Sequence, residues 1–219
     1  MSSSVPPIFS ESFQRRNGLI IFAGLQDSGT EEAVNAAFKD GKQRPLVFWE
    51  SAGAPDRKTD SNAVIVVRPE AAPDLEAVLS AAESGRLVVW LMSAPGPLTA
   101  LRKILSKSFG EGRSHLLWRL SDLLILVAGQ MRLPAIAAAE FVDAYEILLM
   151  TPALKEALAK EDFEEMDQSL RSADDESGVV SFNQSLLQLL LRRSIDIKTA
   201  FEATRDPVNL DQILKKVGI

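Results

Sequence analysis

Apolar and polar positions follow two alternating patterns over the first half of the chain. Four short apolar runs, rich in branched side chains, have the features of buried strands: 18–24, 45–50, 63–67 and 86–92. Three other segments show apolar residues at helical spacing or helix capping signals: 33–39, 71–84 and 97–107. Because buried strands that alternate with helices form parallel sheets, we expect a mostly parallel sheet that helices cover on both faces.

The pattern changes after residue 109. After one further helix at 113–120, two longer apolar segments are predicted to pair as strands: 123–131 and 137–149. From residue 151 onward, nearly every segment has the apolar spacing of a short helix, which predicts a small helical bundle beside the sheet. These changes divide the chain into three parts: a flexible lead-in at 1–17, a core at 18–150 and a helical subdomain at 151–219.

The composition excludes several kinds of chemistry. The 219 residues include no cysteine and one histidine, His115, which excludes a disulfide framework, a cysteine nucleophile and a histidine-rich metal site. The 30 acidic and 24 basic side chains give a net charge of −6 without a dense basic run, which argues against a nucleic-acid surface. No apolar stretch approaches the roughly 20 residues of a membrane span, and the start lacks signal-peptide features, so we expect a cytoplasmic protein.

The connection after the first predicted strand has the glycine spacing of a phosphate-binding loop. Residues 24–31 fit the pattern G-x-x-x-x-G-K-[ST] at Gly24 and Gly29. Thr30 stands where the pattern has the lysine that contacts phosphate, and Glu31 stands where it has the hydroxyl that holds magnesium. Two matching glycines also occur in an ordinary strand, turn and helix, so the spacing alone does not indicate a nucleotide site.

Negative charge surrounds this connection. Asp27, Glu31 and Glu32 place three carboxylates near the N-terminus of the predicted helix, where the helix dipole would otherwise favour an anion. At an effective dielectric constant near 20, a unit charge about 4 Å from a phosphate changes its binding free energy by roughly 4 kcal/mol. We therefore expect the loop to oppose nucleotide binding.

Six segments, in chain order, share features with one group of ATPases. They are the strand and loop at 17–32, the apolar strand and acidic helix start at 63–78, the sequence Ala-Ala-Glu-Ser-Gly-Arg-Leu-Val at 81–88, the strand at 139–149, the Thr-Pro-Ala-Leu helix start at 151–154, and the helices at 182–210. In this order they resemble the type II and type IV secretion ATPase family, and within it the twitching-motility (pilus retraction, PilT-like) branch. The resemblance implies an α/β fold, with a RecA-like P-loop NTPase core, a mostly parallel sheet flanked by helices, and a small C-terminal helical bundle.

The same resemblance indicates which functional positions have changed. The family's acidic box corresponds to residues 49–51, where Trp49 stands at an acidic position, and Arg86 and Ser93 stand in place of the two histidines of its histidine box. The glutamate of its second nucleotide motif corresponds to Glu70, which lies between two prolines. The resemblance therefore implies only vestigial roles, for Glu70 near a metal and for five residues at a nucleotide: Gly24, Ser28, Gly29, Thr30 and Glu31.

The retained framework and the changed functional positions lead to one main hypothesis. The chain is a catalytically inactive bacterial relative of a pilus retraction ATPase, a pseudo-ATPase with a degenerate Walker A loop. It would act as a protein-binding or regulatory component of a type IV pilus, twitching-motility or secretion system. We expect no catalytic residue, cofactor or metal site, no nucleic-acid partner and no direct membrane insertion. Its partners would be an active paralogue or the pilus machinery at the inner face of the membrane, and its oligomeric state stays open.

Two alternatives to this hypothesis remain. The first is a weak ATP-binding protein or residual ATPase of the same system, which would use ATP and magnesium and take its missing cation from Arg68 or Arg86. The second is a scaffold with no link to pili, because a fold does not fix a function. Trp49 and Trp90, near the carboxyl ends of predicted strands, are expected in the core, and the rival interpretation is that they cover the nucleotide cleft.

Overall fold

One six-stranded sheet forms the centre of the part of the chain that the computed structural model describes. That part comprises residues 6–39, 44–50, 60, 62–107, 110, 112–137, 140–173 and 178–218, without the side chains of residues 10 and 39. The strands are β1 (Gly18–Gly24), β2 (Leu46–Trp49), β3 (Val64–Val67), β4 (Leu87–Ser93), β5 (Leu124–Pro134) and β6 (Phe141–Leu149). In space their order is β2-β3-β4-β1-β5-β6.

Neighbouring strands run parallel except at one edge of the sheet. The central strand β1 lies between β4 and β5, so that Gly24 pairs with Ser93 on one side and with Gln130 on the other. At the edge, β5 and β6 pair antiparallel, with Pro134 opposite Phe141. The mostly parallel α/β sheet predicted from the apolar runs is confirmed, and β1 begins and ends at the predicted residues.

Helices surround the sheet. Those that the structure describes are α1 (Pro7–Phe13), α2 (Thr30–Lys39), α3 (Leu75–Glu83), α4 (Pro97–Leu105), α5 (Arg113–Leu123), α6 (Pro152–Ala159), α7 (Phe163–Arg171), α8 (Phe182–Leu191), α9 (Ile197–Ala203) and α10 (Pro207–Lys216). A 3₁₀ turn at Pro69–Ala71 precedes α3. Helices α6 to α10 each begin after a residue whose side-chain oxygen accepts a hydrogen bond from a backbone amide: Thr151, Asp162, Ser181, Asp196 and Asp206.

Both faces of the sheet are buried, as the continuous apolar strands predict. In β1, Ile20 and Phe22 face the core beneath α1 and α2. The alternate residues Leu19, Ile21 and Ala23 face the other core, to which α3 to α7 contribute. A third, smaller core joins α8, α9 and α10 to the β5–β6 hairpin. Helices α6 and α7 pack in the second core together with the sheet. The boundary at residue 150, between the predicted core and the predicted helical subdomain, stays a prediction.

Part of the segment that was predicted to be a flexible lead-in is an ordered helix, at residues 7–13. These residues form α1, in which Phe9 is fully buried and Phe13 is 4% exposed. The ring of Phe9 contacts the rings of Phe22 and Tyr145, with centroids 5.1 and 5.7 Å apart. The two phenylalanines are four residues apart and therefore lie on one helix face, a signal that the polar residues around them obscured. Residues 1–5 lie outside the described part.

None of the helices in the described residues combines the length and the apolar character that a membrane crossing requires.

Candidate functional site

The candidate site lies where β1 ends and α2 begins, at the carboxyl edge of the parallel strands. Gly24 ends β1, and the chain turns through Asp27 and Gly29, whose φ angles of 63° and 78° are left-handed. The amide of Ser28 donates to the carbonyl of Leu25 at 3.1 Å, which closes the turn. A Cβ atom at Gly24 would overlap the side chains of Ser28 and Thr30, so this close approach requires glycine.

A shallow cleft of about 650 Å³ opens beside this loop. Most of the predicted vestigial residues line it: Gly24, Ser28, Thr30, Glu31 and Glu70. The loop and the second nucleotide motif are therefore brought together, although residues 25–32 and 68–70 are far apart in the sequence. Ser93, at the end of β4, lines the same cleft. The predicted site residues thus share one location, and their binding function stays a prediction.

Arg68 occupies the middle of the acidic side of this cleft. Its Nε donates to Glu31 Oε2 at 3.0 Å, and its Nη2 donates to Glu31 Oε1 at 2.7 Å. Its Nη1 bonds the carboxylate of Glu50 at the end of β2, and the guanidinium lies 4.4 Å from the ring centre of Phe48. The hydrogen bonds that Arg68 donates to Glu31 are the main cause that raises the pKa of Arg68. One guanidinium therefore compensates two carboxylates that would otherwise repel an anion.

A second guanidinium, from Arg132, lies directly against the loop. A Cβ atom at Gly29 would overlap it, which places the Arg132 side chain in contact with that glycine. Its Nε also donates to Asp143 on the neighbouring strand at 3.2 Å. Arg132 is not among the predicted site residues, because its contact with the loop depends on the pairing of β1 with a strand that begins about a hundred residues later. The sequence signal for Arg132 is the alternation of side chains along β5. This alternation places residues 126, 128, 130 and 132 on the face of the sheet that α2 covers.

Gln130 is a buried polar residue beneath this loop. It pairs with Gly24 in the β1–β5 ladder, and its side chain is on the same face of β5 as that of Arg132. The residue is 4% exposed, and within the described part of the chain neither its Oε1 nor its Nε2 has a hydrogen-bond partner. A buried amide without a partner costs about 1–3 kcal/mol, so it is expected only where another requirement maintains it.

Arg86, the other cation named for the alternative hypothesis, does not reach the cleft. It precedes β4, and its carbonyl accepts a hydrogen bond from Gly18 at the start of β1. The loop follows the other end of β1, six residues further along, which is about 20 Å at the strand rise. Arg86 therefore lies at the wrong edge of the sheet to contact a phosphate at the loop.

The two tryptophans lie in the core. Trp49 is 2% exposed and Trp90 is 7% exposed, and both belong to the cluster that α3 to α7 share with the sheet. Neither lines the cleft beside the loop. The interpretation of both residues as core is confirmed, and the rival interpretation, that they cover the cleft, is wrong for this structure.

Glu31 stands where the phosphate-binding pattern has the hydroxyl that holds magnesium, and it pairs with Arg68. Among the described residues, no three carboxylate or imidazole groups come together in an arrangement that could hold a metal. Two of the acidic side chains at the cleft, Glu31 and Glu50, are bound by Arg68 instead. The side chain at the magnesium position of the pattern is therefore engaged by a guanidinium in this structure.

The strand order, the turn after β1 and the cleft at the carboxyl edge of the sheet are those of a RecA-like fold. Solved structures with a similar fold include one pilus retraction motor and two ATPases. The pilus retraction motor PilT, solved with bound ADP, superposes with a TM-score of 0.76 at 19% identity, over 95% of this chain and 67% of that one. The ATPase DotB of Legionella pneumophila gives 0.72 at 14% identity, over 91% and 63% of the two chains. DotB of Yersinia pseudotuberculosis gives 0.65 at 15%, over 94% and 61%.

These comparisons confirm the fold that the sequence resemblance implied. No protein-family model matches the sequence, and no curated protein matches it. At identities below 20%, the likeness concerns the fold, and this chain spans only about two thirds of the length of the proteins it resembles. Any activity or partner must therefore be argued from the residues themselves.

Proposed function

We propose that this protein is a catalytically inactive relative of the pilus retraction and secretion ATPases. It would serve as a protein-binding or regulatory component of a bacterial type IV pilus, twitching-motility or secretion system. In this proposal it works in the cytoplasm, at the inner face of the membrane through its partners, and binds an active paralogue or the pilus machinery. The observation that carries the proposal is the pairing of Arg68 with Glu31 and Glu50 beside the loop.

Catalysis at this loop would require positive charge at the transferred phosphate. ATP hydrolysis in this fold class depends on a lysine and a magnesium ion that neutralise the phosphate oxygens as the bond breaks. Thr30 supplies no charge, and the positive charge of Arg68 is already shared by two carboxylates. A phosphate at the loop would have to compete with Glu31 and Glu50 for the same guanidinium. Protein binding does not depend on that competition.

The direct test is a calorimetric titration with ATP and magnesium, together with an assay of phosphate release. We expect no binding with a dissociation constant below about 1 mM, which corresponds to roughly 4 kcal/mol. We also expect no phosphate release above background, and the same result for Glu70→Gln, because Glu70 has no metal to orient. Binding in the micromolar range with turnover that Glu70→Gln abolishes would refute the proposal.

A second candidate function is weak nucleotide binding without magnesium. Two observations favour it: Arg132 supplies a guanidinium against Gly29, and the buried amide of Gln130 lies beneath the same loop without a partner. Arginine can bind phosphate oxygens in a fixed fork geometry, so Arg132 could substitute for the missing lysine.

This candidate makes a distinct prediction. ATP should then bind in the millimolar range equally well with magnesium and with a chelator, and Arg132→Gln should weaken that binding about tenfold or more. Arg15→Gln is the matched control, because Arg15 is exposed and near the opposite edge of the sheet. Equal affinity of the two variants would show that any binding is not at the loop.

A further inference from the structure

A shallow apolar groove lies far from the loop, between the β5–β6 hairpin and the connection from α8 to α9. We call it the basic groove and define it by the seven residues that line it: Ile136, Leu190, Arg193, Ile195, Asp196, Ile197 and Lys198. Its volume is about 580 Å³. The amide of Ile136 donates to the carbonyl of Ser194 at 2.9 Å, which joins the hairpin to the α8–α9 connection.

The basic groove exposes large apolar side chains. Ile136 is 59% exposed and Ile197 is 52% exposed, whereas Ile195 is buried between them at 2%. Phe201 follows Ile197 by four residues on the same face of α9 and is 38% exposed. Leu191, at the end of α8, is 52% exposed. Phe201 and Leu191 do not line the groove itself. Exposed apolar side chains that are scattered singly need no explanation, but Ile136 and Ile197 line one groove together with Leu190, and such a grouping is typical of a binding site.

Arg193 adopts a conformation that favours glycine. Its φ angle is 55°, and it directly follows the C-cap residue of α8. Its amide donates to Leu190, and the amide of Ser194 donates to Leu189, both at 2.9 Å. This pair of hydrogen bonds is the Schellman motif, in which glycine is the usual residue at the left-handed position. An arginine there is strained, so its presence points to a use for its side chain, which lines the groove.

The charge of the basic groove opposes that of the whole chain. Arg192, Arg193 and Lys198 lie within seven residues, although the net charge of the protein is −6. Among the described residues, neither arginine has a carboxylate within ion-pair distance, whereas Lys198 pairs weakly with Glu202 at 3.8 Å and attracts the carboxylate of Asp196. The one acidic residue at the groove, Asp196, is engaged as the cap of α9, where its carboxylate accepts from the amide of Thr199 at 2.7 Å.

We propose that the basic groove binds a segment of a partner protein in which an apolar side chain is flanked by carboxylates. The apolar floor would receive the anchor side chain, and Arg193 and Lys198 would pair with the flanking acidic groups. A protein segment fits better than an anionic lipid surface, because two cations and one carboxylate line the groove, whereas lipid-binding surfaces carry clusters of about four to eight basic residues. This proposal is independent of the state of the phosphate loop.

The test begins with a random dodecapeptide library that is selected on the immobilised full chain and counter-selected on the Ile197→Ser variant. We expect the enriched peptides to contain an aromatic or aliphatic residue next to Asp or Glu. The best peptide should lose at least about tenfold in affinity for Ile197→Ser, and its binding should weaken as salt increases. Trp118→Ser is the matched control, because Trp118 is 64% exposed on α5 outside the groove, and it should leave the affinity unchanged.

The variant Arg193→Gly distinguishes a loss of peptide binding from a loss of folding stability. Because glycine relieves the left-handed strain, this variant should unfold at the same temperature as the wild type or higher, while it binds the peptide about threefold to fivefold more weakly. A loss of binding together with a lower Tm would overturn the assigned role of Arg193. Enrichment of basic or uncharged peptides, or of none, would overturn the proposal. Self-association, or binding to anionic lipid vesicles, that Ile197→Ser abolishes in the absence of any enriched peptide would overturn it as well.

Discussion

Gly24→Ala is expected to lower the free energy of unfolding by about 3 kcal/mol, although alanine is compatible with a strand. The reason is the closeness of the loop to the end of β1. A Cβ atom at this position would overlap the side-chain oxygen of Ser28 and would crowd the methyl group of Thr30. Both are short side chains close to the backbone, so the loop itself would have to shift. Urea denaturation followed by circular dichroism measures the change.

The matched experiment for Gly24→Ala uses a second background. In Ser28→Gly, the nearest obstructing atoms are removed, and the cost of Gly24→Ala should fall to about half. Thr30 still limits the space, so a full recovery is not expected. If Gly24→Ala costs the same in both backgrounds, the loop does not lie over Gly24 as described.

Arg119→Met is expected to lower the free energy of unfolding by about 2 kcal/mol. Arg119 on α5 forms ion pairs with two glutamates of α3, and its side chain is only 10% exposed. It donates two hydrogen bonds to Glu83, at 2.6 and 2.8 Å, and one to Glu76 at 2.6 Å. The two glutamates are 41% and 57% exposed, so water would partly solvate them in the variant and limit the loss.

A surface ion pair provides the control for Arg119→Met. Arg171 is 65% exposed and pairs with Asp167 four residues earlier on α7. Arg171→Met should change the free energy of unfolding by less than about 0.5 kcal/mol. Similar losses for the two variants would mean that burial does not strengthen the Arg119 network.

The Arg119 network also gives a pH dependence with a definite sign. The hydrogen bond from Arg119 is the main cause that lowers the pKa of Glu83. A carboxyl whose pKa is lower in the folded state stabilises the fold above its unfolded pKa, which is roughly 4.3 for glutamate. This contribution is lost as the pH falls from there through the folded value. The difference in stability between wild type and Arg119→Met should therefore shrink below about pH 4.

Local patterns were sufficient to predict most of the sheet. The run from Gly18 to Gly24 is apolar throughout because both faces of β1 are covered, and such runs are visible without knowledge of their neighbours. The helix α1 was missed, because its two buried phenylalanines lie among polar residues in a segment that begins with prolines and serines.

The candidate site was harder to predict than the sheet. Residues 24–31 are contiguous, so their glycine spacing could be recognised directly. Arg68 was named as a cation source, but its ion pairs with Glu31 and Glu50 depend on the adjacency of three chain segments. Arg132 and Gln130 depend on the register between β1 and β5, and a sequence pattern does not fix the register of distant strands.

The position of Arg68 has a consequence for how the cleft responds to its surroundings. A dissolved ion occupies a site according to its concentration, so the charge of such a site changes with the supply of that ion. A guanidinium attached to the chain is always present, at an effective concentration that the fold alone determines. Glu31 and Glu50 therefore keep their counter-charge whatever the supply of dissolved cations, and any partner that binds over them meets the same paired groups.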